Sequence, residues 1–251
     1  MEIRVTGTVQ GVGFRPTVWR LANEEGLAGE VLNDSAGVLI RAAGEPGALD
    51  RLLYRLRAEA PPLSRIESIH STPLPDVPVF QGFRIRESVG GENRTRVTPD
   101  AAMCGQCRHE ILTRGDRRFG YPFANCTHCG PRFSIVRGVP YDRSRTTMSV
   151  FALCEACAHE YHHPPDRRFH AQPTACAACG PQVWIERPGA ADEHDRVEGP
   201  EAIDAALASL RAGRIVALRG LGASISCVMP PAPRRWASSG VASTAMGSRS
   251  R

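Results

Sequence analysis

Residues 104–131 read CGQCRHEILTRGDRRFGYPFANCTHCGP, and residues 154–181 read CEACAHEYHHPPDRRFHAQPTACAACGP. Offset by 50 positions, the two stretches share twelve of 28 residues: all the cysteines, His109/His159, Glu110/Glu160, the block from Asp116 to Phe119, and the Gly130-Pro131 exit. The cysteines form four CxxC pairs, Cys104/Cys107, Cys126/Cys129, Cys154/Cys157 and Cys176/Cys179, separated by 18, 24 and 18 residues. Two thiolates three positions apart grip one ion from a tight turn, and a second such turn completes a tetrahedral zinc site. The expectation is a duplicated module with two zinc ions per chain. Cys104, Cys107, Cys126 and Cys129 would hold one, and Cys154, Cys157, Cys176 and Cys179 the other, although spacing alone leaves the pairing in space open.

Two other uses of cysteine compete with zinc. Disulfides need an oxidising compartment, yet Met1 leads straight into an alternating segment without the basic start and apolar core of a signal peptide, which places the chain in the cytoplasm. A redox CxxC is single and opens a helix, whereas these pairs recur in register. Between Asp100 and Pro181 only nine residues are Leu, Ile, Val or Met, so a bound ion has to supply the stability that a core would give. His128 sits inside the second pair, but its counterpart is Ala178, so the duplicated geometry does not require it.

The 251 residues leave room for two or three units. Mean hydropathy is -0.25 and no apolar run is long enough to span a membrane. Net charge is +5, and all 31 basic residues are arginine, a bias that reflects a GC-rich coding sequence more than a nucleic-acid surface. Zinc modules with arginine keep a nucleic-acid-binding or scaffold module as the alternative to an enzyme.

From Glu2 to Val9 polar and apolar residues alternate, which predicts a half-buried strand. The stretch Gln10-Gly11-Val12-Gly13-Phe14-Arg15-Pro16 follows, with Pro16 suited to the first position of a helix that runs through Val18 and Leu21 to a stop at Gly26. Strands at 31–33 and 38–41, a helix carrying Leu49, Leu52, Leu53 and Leu56, and strands at 66–70 and 83–86 complete a βαββαβ order with an extra edge strand. That order is an α+β, ferredoxin-like sandwich over residues 1–90. At the first strand-to-helix junction, two glycines let successive amides converge, the helix adds its positive end, and Arg15 adds a bidentate charge. By itself such a turn is either a tight connection and nothing more or a phosphate-sized anion cradle, from Gln10 through Gly11, Val12, Gly13 and Phe14 to Arg15.

VQGVGFRP, with Asn33 on the second strand 18 residues after Arg15, resembles the acylphosphatase family. The resemblance implies that Arg15 and the loop amides bind the phosphoryl group while Asn33 orients the attacking water. Joined to the cysteine modules (104–129 and 154–179, within a region spanning 91–190), and to the blocks Asn125-Cys126-Thr127, Pro140-Tyr141-Asp142-Arg143 and Arg167 to Pro173, the whole is similar to the HypF family of hydrogenase maturation carbamoyltransferases. That resemblance implies a relay in which carbamoyl phosphate, or another acyl phosphate, is hydrolysed in the N-terminal unit. ATP then activates the carbamate in a YrdC-like domain, and the carbamoyl group passes to the partner HypE, toward the cyanide ligands of nickel-iron hydrogenase.

Residues 198–222 match the start of that YrdC-like domain: a helix with Ile203, Ala206, Leu207 and Leu210 on one face, then a buried strand from Ile215. After Gly222 the pattern breaks. No acidic residue follows Asp204, so residues 223–251 are expected to be an aberrant, disordered tail of frameshift origin, with Cys227 outside the ligand set. On that reading the chain retains acyl phosphate hydrolysis and zinc binding but not the complete transfer.

Overall fold

In a computed structural model the described residues are 1–74, 79–90, 97–186, 196–219 and 224–227. Residues Met1–Pro181 form one compact unit, and the residues from Gln182 onward form a second.

The first unit begins with strand β1 (Glu2–Thr8), helix α1 (Phe14–Glu24), strands β2 (Ala28–Asp34) and β3 (Gly37–Ala43), helix α2 (Pro46–Ala58), and strands β4 (Arg65–Thr72) and β5 (Phe83–Ile85). The sheet order is β4-β1-β3-β2-β5, with β5 running parallel to β2 and the other pairs antiparallel. This is the expected ferredoxin-like sandwich, including its extra edge strand. Alternation in β1 sends Ile3 and Val5 into a core shared with Val18 and Leu21 of α1 and Leu52 and Leu56 of α2. The opposite face keeps its charges and pairs them across strands: Arg41 holds both Glu2 and Glu30, and Arg4 holds Asp34.

Helix α1 starts two residues earlier than the proline suggests. Gly13 occupies the cap position at φ 81°, so Pro16 lies inside the first turn, where the absent N–H removes no helical hydrogen bond. The helix start therefore advances onto the loop.

The rest of this unit is irregular apart from α3 (Gly105–Leu112), α4 (Glu155–His162) and three 3-10 turns. Its interior is polar. The repeated residues reach crosswise between the modules: the buried Arg118 pairs with Glu160 and donates its Nε to the Ala175 carbonyl at 2.9 Å. Its counterpart Arg168 pairs with Glu110 and donates to the Asn125 carbonyl at 2.9 Å. Arg117 donates to the Cys157 Sγ, and Arg167 to the Cys107 Sγ, both at 3.3 Å. The modules are thus not two independent beads. Each supplies cations to the other's thiolates and glutamate.

In the second unit, β6 (Trp184–Ile185) pairs with β7 (Val197–Glu198), and helix α5 (Pro200–Arg211) precedes β8 (Val216–Arg219). The helix forms as expected, although Leu207 is exposed and Ala202 is its buried residue. The strand was expected to be buried, but Ile215 and Leu218 are both about half exposed. Its only pairing among the described residues is a two-stranded sheet, which cannot bury a face by itself. The partner in that sheet is β9 (Ser224–Cys227), in antiparallel register from Val216↔Cys227 to Arg219↔Ser224. Regular structure therefore continues into the stretch expected to be disordered, because Ser-Ile-Ser-Cys alternates with the two-residue period of a strand. Residues 223 and 228–251 of that tail lie outside the described residues, as do residues 220–222 before it.

Candidate active site and metal centres

The strand-to-helix loop curls through Gly11 at φ 73° and Gly13 at φ 81°, a left-handed conformation open to glycine. As a result, the backbone N–H groups from Gly11 to Arg15 meet no acceptor among the described residues. Five unspent donors at a helix N-terminus form a site for an anion. Gly11, Gly13, Phe14, Arg15 and Asn33 line the cleft beside them. Gln10 and Val12 do not. The Gln10 amide donates to the Asp34 and Gly37 carbonyls at 2.7 and 2.8 Å and accepts from the Tyr141 N–H at 3.0 Å, whereas Val12 belongs to the sandwich core. Those two residues shape the loop through their side chains.

The buried Arg15 is held from several sides. Its guanidinium donates to Asp142 Oδ1 at 2.7 Å and to Ser88 Oγ at 3.1 Å, and with the Asn33 amide turned to the orientation that satisfies its neighbours, its oxygen accepts from Arg15 Nε at 3.1 Å. Arg15 and Asn33 are thus in direct contact, with the cation fixed rather than swinging in solvent.

Half of the cleft comes from the cysteine region, through Thr127, Arg132, Tyr141, His170, Ala171, Gln172 and Pro173. Arg132 is fully buried and spends its guanidinium on backbone carbonyls: those of Cys129 and Pro131 through Nη1, those of Cys126 and Thr127 through Nη2, and that of Gly11 through Nε. One side chain therefore ties the second CxxC turn to the phosphate loop. Arg132 is a second positive side chain at the cleft, but it has no N–H left for a ligand. Tyr141 lies against Gly11, where an added Cβ would meet its ring at 3.2 Å. Burial pushes the Tyr141 hydroxyl up to about 12, so it stays protonated.

The eight module cysteines are free thiols gathered in two clusters, Cys104, Cys107, Cys126 and Cys129, and Cys154, Cys157, Cys176 and Cys179. Within each cluster all four sulfurs lie within 4.8 Å of one another. Sulfur–sulfur separations are 3.8, 3.7 and 3.4 Å across Cys104–Cys126, Cys126–Cys129 and Cys107–Cys129. They are 3.7 and 3.8 Å across Cys154–Cys176 and Cys176–Cys179. Four sulfurs about 2.3 Å from a tetrahedral zinc stand about 3.8 Å apart, so both clusters fit the ion. The structure joins first pair to second and third to fourth. His128 and Cys227 lie outside both clusters.

Comparison with known proteins agrees with this geometry. Residues 1–85 match the acylphosphatase family model, and residues 103–136 and 153–186 match the HypF finger. A carbamoyltransferase HypF from Rhodobacter capsulatus is 54% identical over 221 residues, 88% of this chain and 29% of the relative. One from Synechocystis is 47% identical over 90% of this chain and 29% of the relative. An acylphosphatase from Lacticaseibacillus paracasei is 39% identical over 34% of this chain and 91% of its own length. A crystal structure of full-length HypF in its phosphate- and nucleotide-bound form superposes with a TM-score of 0.85 at 38% identity, covering 94% of this chain and 30% of that one. The chain thus spans under a third of the length of these HypF relatives.

Proposed function

Because the chain belongs to the HypF carbamoyltransferase family, we propose that its N-terminal cradle hydrolyses carbamoyl phosphate or a related small acyl phosphate. The observation that carries this reading is the row of unspent amides from Gly11 to Arg15, with Arg15 and Asn33 in contact beside it. The amides and Arg15 take up the phosphoryl oxygens and the charge that builds on them, and Asn33 holds a water in line. Attack of that water on phosphorus breaks the bond to the carbamoyl oxygen. Carbamate and inorganic phosphate leave, and the proton from water passes to solvent. The leaving group is good, so positioning and charge neutralisation suffice without a strong base.

Zinc fits both sulfur clusters, and we propose one ion in each, two per chain. Its role is structural, since four cysteines fill the coordination sphere and the cleft residues lie outside it. Free thiols and thiolate–metal sites suit a reducing cytoplasm. Among the described residues no helix is long and apolar enough to cross a membrane. Six arginines around the cysteines, Arg117, Arg118, Arg132, Arg143, Arg167 and Arg168, are spent on glutamates, sulfurs and carbonyls, which withdraws them from the basic surface that the alternative of a nucleic-acid module would use. ATP-dependent transfer of the carbamoyl group to HypE is proposed for the whole protein, whose relatives are about three times this length.

Phosphate release from carbamoyl phosphate tests the reading. Asn33→Ala should lower kcat about a hundredfold with little change in KM, as expected when an attacking water loses its position. Unchanged kcat in that variant would remove Asn33 from the mechanism.

A further inference from the structure

The acylphosphatase from Lacticaseibacillus paracasei is matched over 91% of its length by 34% of this chain and has no room for the cysteine region, so an acyl group bound in this chain meets a cover that it lacks. The polar side chains on that cover are mostly spent. Thr127 donates to the Arg167 carbonyl at 3.2 Å, Tyr141 to the Pro131 carbonyl at 3.4 Å, and Arg132 to five carbonyls. Gln172 accepts from the Arg143 N–H at 2.7 Å and from the Tyr161 hydroxyl at 3.0 Å, and donates to the His170 carbonyl at 2.8 Å. His170 differs. It lines the cleft, and its ring nitrogens meet no hydrogen-bond partner among the described residues.

The backbone at His170 supplies a second, independent observation. Its φ is 55°, and it is the only non-glycine residue with a positive φ among those described. The matching turn of the first module carries Gly120 at φ 69°. The duplicated turn thus needs a left-handed residue, glycine fills it without strain in one module, and the other places an imidazole there at an energetic cost. A strained residue with an unspent polar group, aimed into a ligand cleft, marks a contact that the ligand completes.

We propose that His170 is a specificity-determining residue that reads the carbamoyl group: an unprotonated ring nitrogen accepts an N–H from the substrate's –NH2. Acetyl phosphate offers a methyl group there and cannot make this bond. Burial, then the nearby Arg15 charge, lowers the imidazole pKa to about 4, so the lone pair is available at neutral pH. This inference rests on the hydrolase reading above. It assigns to the second cysteine module a part in choosing the substrate.

The test is the ratio of kcat/KM for carbamoyl phosphate to that for acetyl phosphate, measured on the full zinc-loaded chain. His170→Gly restores the residue of the matching turn, so the backbone is not strained by the change. It should lower the ratio about tenfold, the worth of one hydrogen bond lost from a desolvated site, with acetyl phosphate turnover unchanged. His170→Asn tolerates the left-handed backbone and keeps an acceptor, and should recover most of the ratio. A ratio within twofold of wild type in His170→Gly, or an equal fall for both substrates, would overturn the proposal alone. A wild-type chain that turns over neither substrate would overturn the hydrolase reading and this proposal together.

Discussion

In the first cysteine module Phe119 is about half exposed and Gly120 makes the left-handed turn, whereas at the matching places in the second, Phe169 is buried edge-on against Trp19 of α1 and His170 turns into the cleft. The first module in turn carries Arg132, which grips the Gly11 carbonyl, and its counterpart in the sequence is Gln182. Against these differences stand the residues that did not diverge. Glu110 and Glu160, Arg117 and Arg167, and Arg118 and Arg168 face across the pair and exchange the same contacts in both directions. Duplication supplied a self-complementary scaffold, and the halves differ where they meet the phosphate loop and α1. One shapes the loop, and the other lines the cleft.

If the modules hold each other, the largest effect comes from removing a metal ligand. Cys107→Ser and Cys157→Ser should each lose their ion, and a structural zinc of this type contributes on the order of 10 kcal/mol to its fold. Because Arg167 and Arg117 reach the opposite module's sulfur, either change should expose both modules to protease. Limited proteolysis that leaves the untouched module intact would separate the two. A smaller but sharper comparison is Arg118→Ala against Arg168→Ala. Each leaves a half-buried glutamate with one of its two arginines and removes a bond to a backbone carbonyl, at a cost of about 1–3 kcal/mol. Denaturant midpoints should fall together, and a large effect in only one variant would break the symmetry.

Most of the architecture could be read from the chain alone, because the signals were local. Alternation in β1, the glycine-rich loop and the leucine spacing of α2 each follow from contacts within one element and the core beneath it. Metal clusters were legible because tetrahedral geometry permits few spacings. Half of the cleft was not. Tyr141, Asp142 and His170 reach Arg15 and its loop across more than a hundred positions of sequence, and no periodicity reports a contact of that kind. Their only trace in the sequence was that the blocks containing them carried the HypF resemblance while supplying no metal ligand. The exposed strand β8 was misjudged for a related reason: an apolar run shows a capacity for burial, but not whether anything lies over it.

The smallest predicted effect sharpens the contrast between Gly120 and His170. Burial first, then the Arg15 and His162 charges, hold the His170 imidazole at about 4 against an ordinary value of 6.5, with Asp142 acting in the opposite direction. The folded chain binds this proton less tightly than the unfolded one. The neutral ring's contribution to stability is therefore fully present above about pH 6.5 and is lost as the pH falls toward 4. Urea midpoints of wild type and His170→Gly across that window should show the steeper acid loss in wild type. Parallel curves would mean that the ring titrates as if in water.

Every role given to the modules depends on the loop they enclose being a working anion cradle. Its most direct test is phosphate release from carbamoyl phosphate by wild type and Arg15→Ala, each checked for metal content. Wild type should turn over, and Arg15→Ala should lose about a thousandfold from removal of a fixed cation at the developing charge, with both zinc ions retained. Wild-type turnover in Arg15→Ala would contradict this, and would leave the glycine-rich loop as a tight turn and nothing more.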